Sequence, residues 1–371
     1  ATVMAGGPIY LRSLERIGME DVVSKIGIYN KNVGVVTSWL PLEANVIAET
    51  NAAVDSAINS DLEPMITSRS TRIKSHPHFW NIEDGDPETE TEPRRGGLAS
   101  RAYFHEMEGM FDVVTYVEGH PPTSQLSVDE NGDQIVEVAV YLKRAREFRH
   151  GNRFVDLDVG TIVHASSVSR NGGIVKGEIV GIFEPNDRRD EFWLGSPSAI
   201  LEPVPSTQET GQDNPIILFT AEDTIAPGVG PSNAGLPMDY TRVNFTDPEL
   251  IAITKAEVLV SAMDHFREVT DAEIPRSTAL LGARATTKHM AQKMLFLRLP
   301  ALLLAALSIA VVGYYLFLVS GLIARKRELE TVMLRSRGLS SLQVLRVQII
   351  ESVVIVGLPA ALAPLLAFIA I

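Results

Sequence analysis

Hydrophobic and polar positions divide this chain into three regimes. The first, through residue 110, mixes short helical and strand patterns. Val46, Ile47, Val54, Ile58 and Leu62 fall on one helical face, so residues 41–61 are predicted to form a helix with Pro41 in its first turn. The β-branched run GVVTSWL before it is predicted to be a strand. From Phe111 the period changes to two. DVVTYVEGH reads as a strand, and TSQLSV and IVEVAVYL read as a hairpin turning through DENGD, where Asn131-Gly132 supplies positive φ. TIVHASSV and GIVKGEIVGIF form a second strand pair around residues 170–173, and PIILFTAE is a strand within the loop-rich stretch 185–239. Residues 248–272 return to a helical pattern, with Leu250, Ile253, Leu259, Met263 and Phe266 apolar and Thr246 or Asp247 as cap. Pro275 opens a last helix through residue 298, read as a stalk that Pro300 perturbs.

The third regime begins at Leu299. Residues 299–324 carry no charge, and 26 residues of helix reach about 39 Å, enough for a hydrocarbon core of about 30 Å. An amphipathic charged segment follows at 325–351, and a second apolar run fills 352–371. Residues 1–8 read as the exit of an earlier transmembrane helix, followed by the short amphipathic stretch IYLRSLERIG. Arg325, Lys326, Arg327, Arg335, Arg337 and Arg346 mark the loop between the two apolar runs as cytoplasmic. Everything before Leu299 then lies outside the cytoplasm. The expected fold class is an α+β extracytoplasmic domain over residues 9–274, with a small β-subdomain near 112–245, followed by α-helical membrane segments.

Charge and composition narrow the function. The whole chain has 33 Lys and Arg against 46 Asp and Glu; the 299–371 tail takes 6 and 3 of these, leaving 27 and 43, a formal −16. Such a domain is a poor partner for nucleic acid. There is no cysteine, which excludes disulfides, thiolate metal sites and cysteine nucleophiles. Residues 81–97 form an acidic, Pro/Gly-rich break whose spacing does not match a calcium loop. His76 and His78 are the closest histidine pair, and the proline between them forces an extended geometry that does not chelate by itself. The G-x-x-x-G of Gly177 to Gly181 lies in a strand pattern, and Asn244 to Thr246 is a glycosylation sequon by pattern alone. No nucleophile elbow, zinc helix or phosphate loop occurs, so no cofactor, metal or catalytic group is assigned and the chain reads as non-enzymatic.

The segment ETVMLRSRGLSSLQVLRVQIIES, residues 330–352, resembles the signature of the FtsX-like permease family, the MacB-type membrane subunits of ABC transporters. Glu330, Leu334, Arg335, Ser336, Gly338, Ser340, Gln343, Val344 and Glu351 fall where that pattern places such residues, while Arg337 and Thr331 depart from it. DVGTIVHA and GEIVGIFEPND are also similar to the family's small β-subdomain, with Thr161 in place of the usual acid. The resemblance covers about 75 residues. It implies four transmembrane helices, of which 299–324 would be the second and 352–371 a truncated third. It also implies a bacterial inner-membrane location, a separate cytoplasmic ABC ATPase, and a second permease copy. The coupling residues would be Glu330, Arg335, Arg337, Gly338, Ser340, Ser341, Leu342 and Leu345, with Ser340 capping a short helix after a break at Gly338. The competing reading is a membrane-anchored extracytoplasmic binding or sensor protein without an ATPase.

Overall fold

The structure, a computed structural model, describes residues 2–82, 101–146, 149–150, 153–154, 156–167, 173–203 and 215–336. It also describes 340, 342–343, 345–346 and 349–350. Two compact units divide the chain: Asp21–Thr287, and Ala1–Glu20 with Lys288–Ile371.

The elements run α1 (Thr2–Lys25), β1 (Val33–Pro41), α2 (Ala44–Ala57), β2 (Ile66–Lys74), β3 (His78–Ile82) and β4 (Arg101–Met107). There follow β5 (Val114–Gly119), β6 (Leu126–Val128), β7 (Gln134–Tyr141), α3 (Leu142–Arg146), and the small hairpin β8 (Arg149–His150) and β9 (Arg153–Phe154). Next come β10 (Ile162–Ser167), β11 (Ile174–Pro185), α4 (Pro197–Leu201), β12 (Ile216–Thr220) and α5 (Ile225–Val229). The last are β13 (Pro237–Thr246), α6 (Pro248–Ile253), α7 (Ala256–Glu273), β14 (Thr278–Leu281) and α8 (Arg284–Ser336).

One sheet organises the 21–287 unit, in the order β12-β7-β11-β10-β3-β4-β2-β13-β1-β14. Because β12 also pairs with β4 in parallel, the first six strands close on themselves as a barrel. Their side chains fill its inside: a Cβ built at Gly177 would lie 3.3–3.6 Å from Leu218, Val138 and Phe104. Outside, Tyr141, Phe183, Ile217 and Phe219 pack with Phe192, Trp193 and Leu201. Strand β12 and the 138–141 half of β7 are therefore buried on both faces, which explains their apolar runs. Beyond β4 the sheet stays open as β2-β13-β1-β14, and α2 and α7 pack together beside it. Tyr240 Oη donates to Asn51 Oδ1 (2.6 Å), and Arg242 Nη2 pairs with Asp55 (2.9 Å), fastening β13 to α2. The unit is thus α+β.

Several expectations change. Helix α1 runs without a break across residue 8, from Thr2 to Lys25, and the compact unit begins at Asp21. Pro41 ends β1 opposite Pro237, where no ladder N–H is needed, and α2 starts only at Ala44. The helix expected over 248–272 is two, broken where Thr254 and Lys255 turn extended; the Thr254 hydroxyl caps the first by donating to the Leu250 carbonyl. Ile253, expected on the apolar face, is 60% exposed. The stalk expected over 275–298 starts with a turn and a strand, since Thr278–Leu281 pairs with β1, and helix begins only at Arg284. Barrel strands span 78–220, whereas β13 belongs to the open part of the sheet, so the expected 112–245 limits do not describe the barrel. Two strand pairs match the sequence reading: β6–β7, with Gly132 at φ +86°, and β10–β11.

In the second unit, Gly18 of α1 lies against Met290 of α8, and Met19, Met290 and Met294 are buried. Helix α8 continues through Pro300. Its stretch Leu302–Ile323 is, among the described residues, the one long and apolar enough to cross a membrane by length and composition, and none of it is buried within the chain. The acidic stretch 83–100, the turn 168–172 and the apolar run 352–371 lie outside the described residues.

Candidate functional site

Of the residues singled out by sequence, Glu330 and Arg335 sit in the last turns of α8, which ends at Ser336. Arg337, Gly338 and Ser341 lie outside the described residues, and with them the expected break at Gly338. Ser340, Leu342 and Leu345 begin the next helical stretch. Ser340 holds its start in a reciprocal arrangement. Its Oγ accepts from the Gln343 N–H at 3.4 Å, while Gln343 Oε1 accepts from the Ser340 N–H at 3.1 Å. That is a capping box, which satisfies two backbone donors and fixes where the helix begins. The cap by Ser340 was legible in sequence. The return contact from Gln343 follows from the S-x-x-Q spacing.

The helix so started presents an apolar face. Leu342, Leu345, Ile349 and Ile350 follow one another at spacings of three, four and one, and each is more than half exposed. Covering one such side chain is worth about 1.5–3 kcal/mol, so the four together could anchor a partner. Val332 and Met333, one helical stretch earlier, are exposed too.

The 21–287 unit holds other buried polar groups. Glu106 accepts from the backbone N–H groups of Asp223, Thr224 and Ile225 (2.9–3.1 Å) and so caps α5 from 117 or more residues away, a contact no local signal announces. Burial raises its carboxyl above the ordinary range, against those three donors. Arg72 is buried, donates to the Phe192 carbonyl and lies 4.8 Å from that ring; burial lowers its pKa to about 10. His78 is fully buried: the Asn233 amide donates to its Nε2 at 3.0 Å and Phe104 packs edge-on at 5.3 Å. His76 beside it is also pushed down, chiefly by burial. Among the described residues no three His, Asp or Glu side chains gather as metal ligands would.

No protein-family model and no curated protein matches the chain.

Proposed function

We propose that this chain is the membrane subunit of an FtsX/MacB-type ABC transporter, coupling ATP hydrolysis on a separate cytoplasmic ATPase to movement of the 21–287 unit. The observation that carries the reading is the capped helix beginning at Ser340. It follows an apolar helix of membrane-spanning length and leaves Leu342, Leu345, Ile349 and Ile350 uncovered. A positive-inside loop needs basic residues only; it requires neither a capping box nor an apolar stripe. The order of Glu330, Arg335, Gly338 and Ser340 supports the same assignment through the family resemblance.

In this reading the ATPase grips the face of Leu342 and Leu345, with Arg335 and Arg337 available to its acids. A second permease copy supplies the symmetry that a closing ATPase dimer requires. The lipid bilayer surrounds residues 302–323, and the large domain lies outside the bacterial inner membrane. Bonds are broken on the ATPase, not here. The test is direct: with Leu342→Asp inserted at normal level, co-purification of the ATPase and stimulation of its activity should both fall. Unchanged values at normal insertion refute the docking role.

A further inference from the structure

We infer that residues 288–299 of α8 seat anionic phospholipid headgroups of the outer leaflet, which rests on the proposed reading of 302–323 as a membrane span. Charge is segregated along this chain. The sequence holds 46 acids in 371 residues, yet none lies between Glu273 and Glu328. Arg284, Lys288, Lys293 and Arg298 all fall inside that acid-free run, ahead of the apolar stretch. An otherwise acidic chain thus turns positive where it meets the span.

Arg284 is already engaged, its Nε 2.5 Å from the Asp264 carboxylate. Lys288 and Lys293 are exposed, and among the described residues no carboxylate pairs with either. Helix α1 packs at this level through Gly18, which lies against Met290 and Met294. It brings acids as well. Glu15 is buried, however, and Glu20 and Asp21 are held by Arg16 and Lys25 at 3.0 and 2.6 Å, while Arg12 is exposed. The local balance therefore stays positive.

The apolar side chains of the same stretch select lipid as the occupant. Met290 and Met294 are buried, whereas Leu295, Phe296 and Leu299 are each more than half exposed. This exposed row runs on along one unbroken helix into Leu302–Ile323, none of which is buried within the chain. Lys293 and Phe296 are three residues apart and so are neighbours on the helix surface. A lysine stem laid along such apolar surface puts its ammonium at the headgroup level. The height agrees. Lys293 precedes Leu299 by about 9 Å of helix, and the interfacial layer on each side of the hydrocarbon is about 5–7 Å deep. An acidic protein segment would satisfy the lysines but would not cover an apolar row that continues into the bilayer.

The test places the photo-crosslinker p-benzoylphenylalanine at the exposed Phe296 of the full chain, in vesicles of equal phosphatidylglycerol and phosphatidylcholine. Adducts are identified by mass spectrometry. Phosphatidylglycerol adducts should outnumber phosphatidylcholine adducts about fivefold, the gain expected of one base near an anionic surface. In Lys288→Gln/Lys293→Gln/Arg298→Gln the two should become equal. The same crosslinker at Leu307, inside the span, checks the membrane reading separately and should capture lipid in both backgrounds. Lipid at Leu307 with equal headgroups at Phe296, or with a preference that the triple variant keeps, overturns the headgroup seat and leaves the span standing. A protein adduct at Phe296, whether a second copy here or a different protein in native membranes, overturns it too. Absence of lipid at Leu307 overturns the span, and the seat with it.

Discussion

Acid should destabilise the 21–287 unit through two histidines that it holds neutral. His78 is pushed down to about 4 by burial and, behind that, by neighbouring His76. His105 is pushed down to about 3 by burial, then by the positive Lys74 and Arg72. His105 is stacked on Phe219, with centroids 5.7 Å apart. An unfolded histidine titrates near 6.5, so between that value and about 4 the unfolded chain binds two protons that the folded chain refuses. Stability is therefore full above about 6.5 and is lost as pH falls. Each histidine removes about 1.4 kcal/mol per pH unit, or about 2 kcal/mol between pH 6.5 and 5, and the pair about 4. Most carboxylates remain ionised over that interval; Glu106, raised by burial, offsets part of the slope by taking its proton in the folded state, while His76, also lowered by burial, adds to it. Urea midpoints of a 21–287 fragment at about pH 7, 6 and 5 would measure it. His105→Phe keeps the stack on Phe219 and should halve the pH slope, as should His78→Gln, whatever either does to stability at neutral pH. A slope below one proton, or one unaltered in both variants, refutes the reasoning.

Other outcomes follow from single positions. Gly119 has φ +72°, and a Cβ there would stand 2.0 Å from the Val180 carbonyl, whereas Gly132 has φ +86° and open space around it. Gly119→Ala should cost more than about 2 kcal/mol and Gly132→Ala only about 1, read from urea midpoints. Ser340→Ala removes a cap worth about 1 kcal/mol and should lower the helicity of a peptide covering residues 336–351, measured by circular dichroism. For topology, the cysteine-free chain allows single labels: Ser127→Cys should react with an impermeant thiol reagent on intact cells and Arg346→Cys should not. Equal labelling of the two contradicts the assignment.

Local chemistry made part of this fold legible. The Asn131-Gly132 turn, the alternating runs of β10 and β11, and the apolar β12 each carry their signal within a dozen residues. What the chain decides at long range was not legible. Barrel closure rests on β12 pairing in parallel with β4, with Ile216 opposite Ala102, across more than a hundred residues. Thr278–Leu281 looks helical by propensity and is extended because β1 offers it a free edge. The split between α6 and α7 hangs on Thr254, whose hydroxyl competes for the Leu250 carbonyl, a local option that an apolar-period reading passes over. At the candidate site, the S-x-x-Q cap and the apolar stripe were both in the sequence.

The coupling role is tested most directly by purifying the full-length chain from its own membranes, with Leu342 intact and as Leu342→Asp, and identifying what comes with it. The account predicts that a cytoplasmic ABC ATPase accompanies the parent protein in stoichiometric amount. It also predicts that Leu342→Asp, at equal membrane level, loses most of that ATPase, because the change puts a charge where an apolar contact is buried. Absence of any ATPase from the parent preparation, or equal recovery with both proteins, would contradict it.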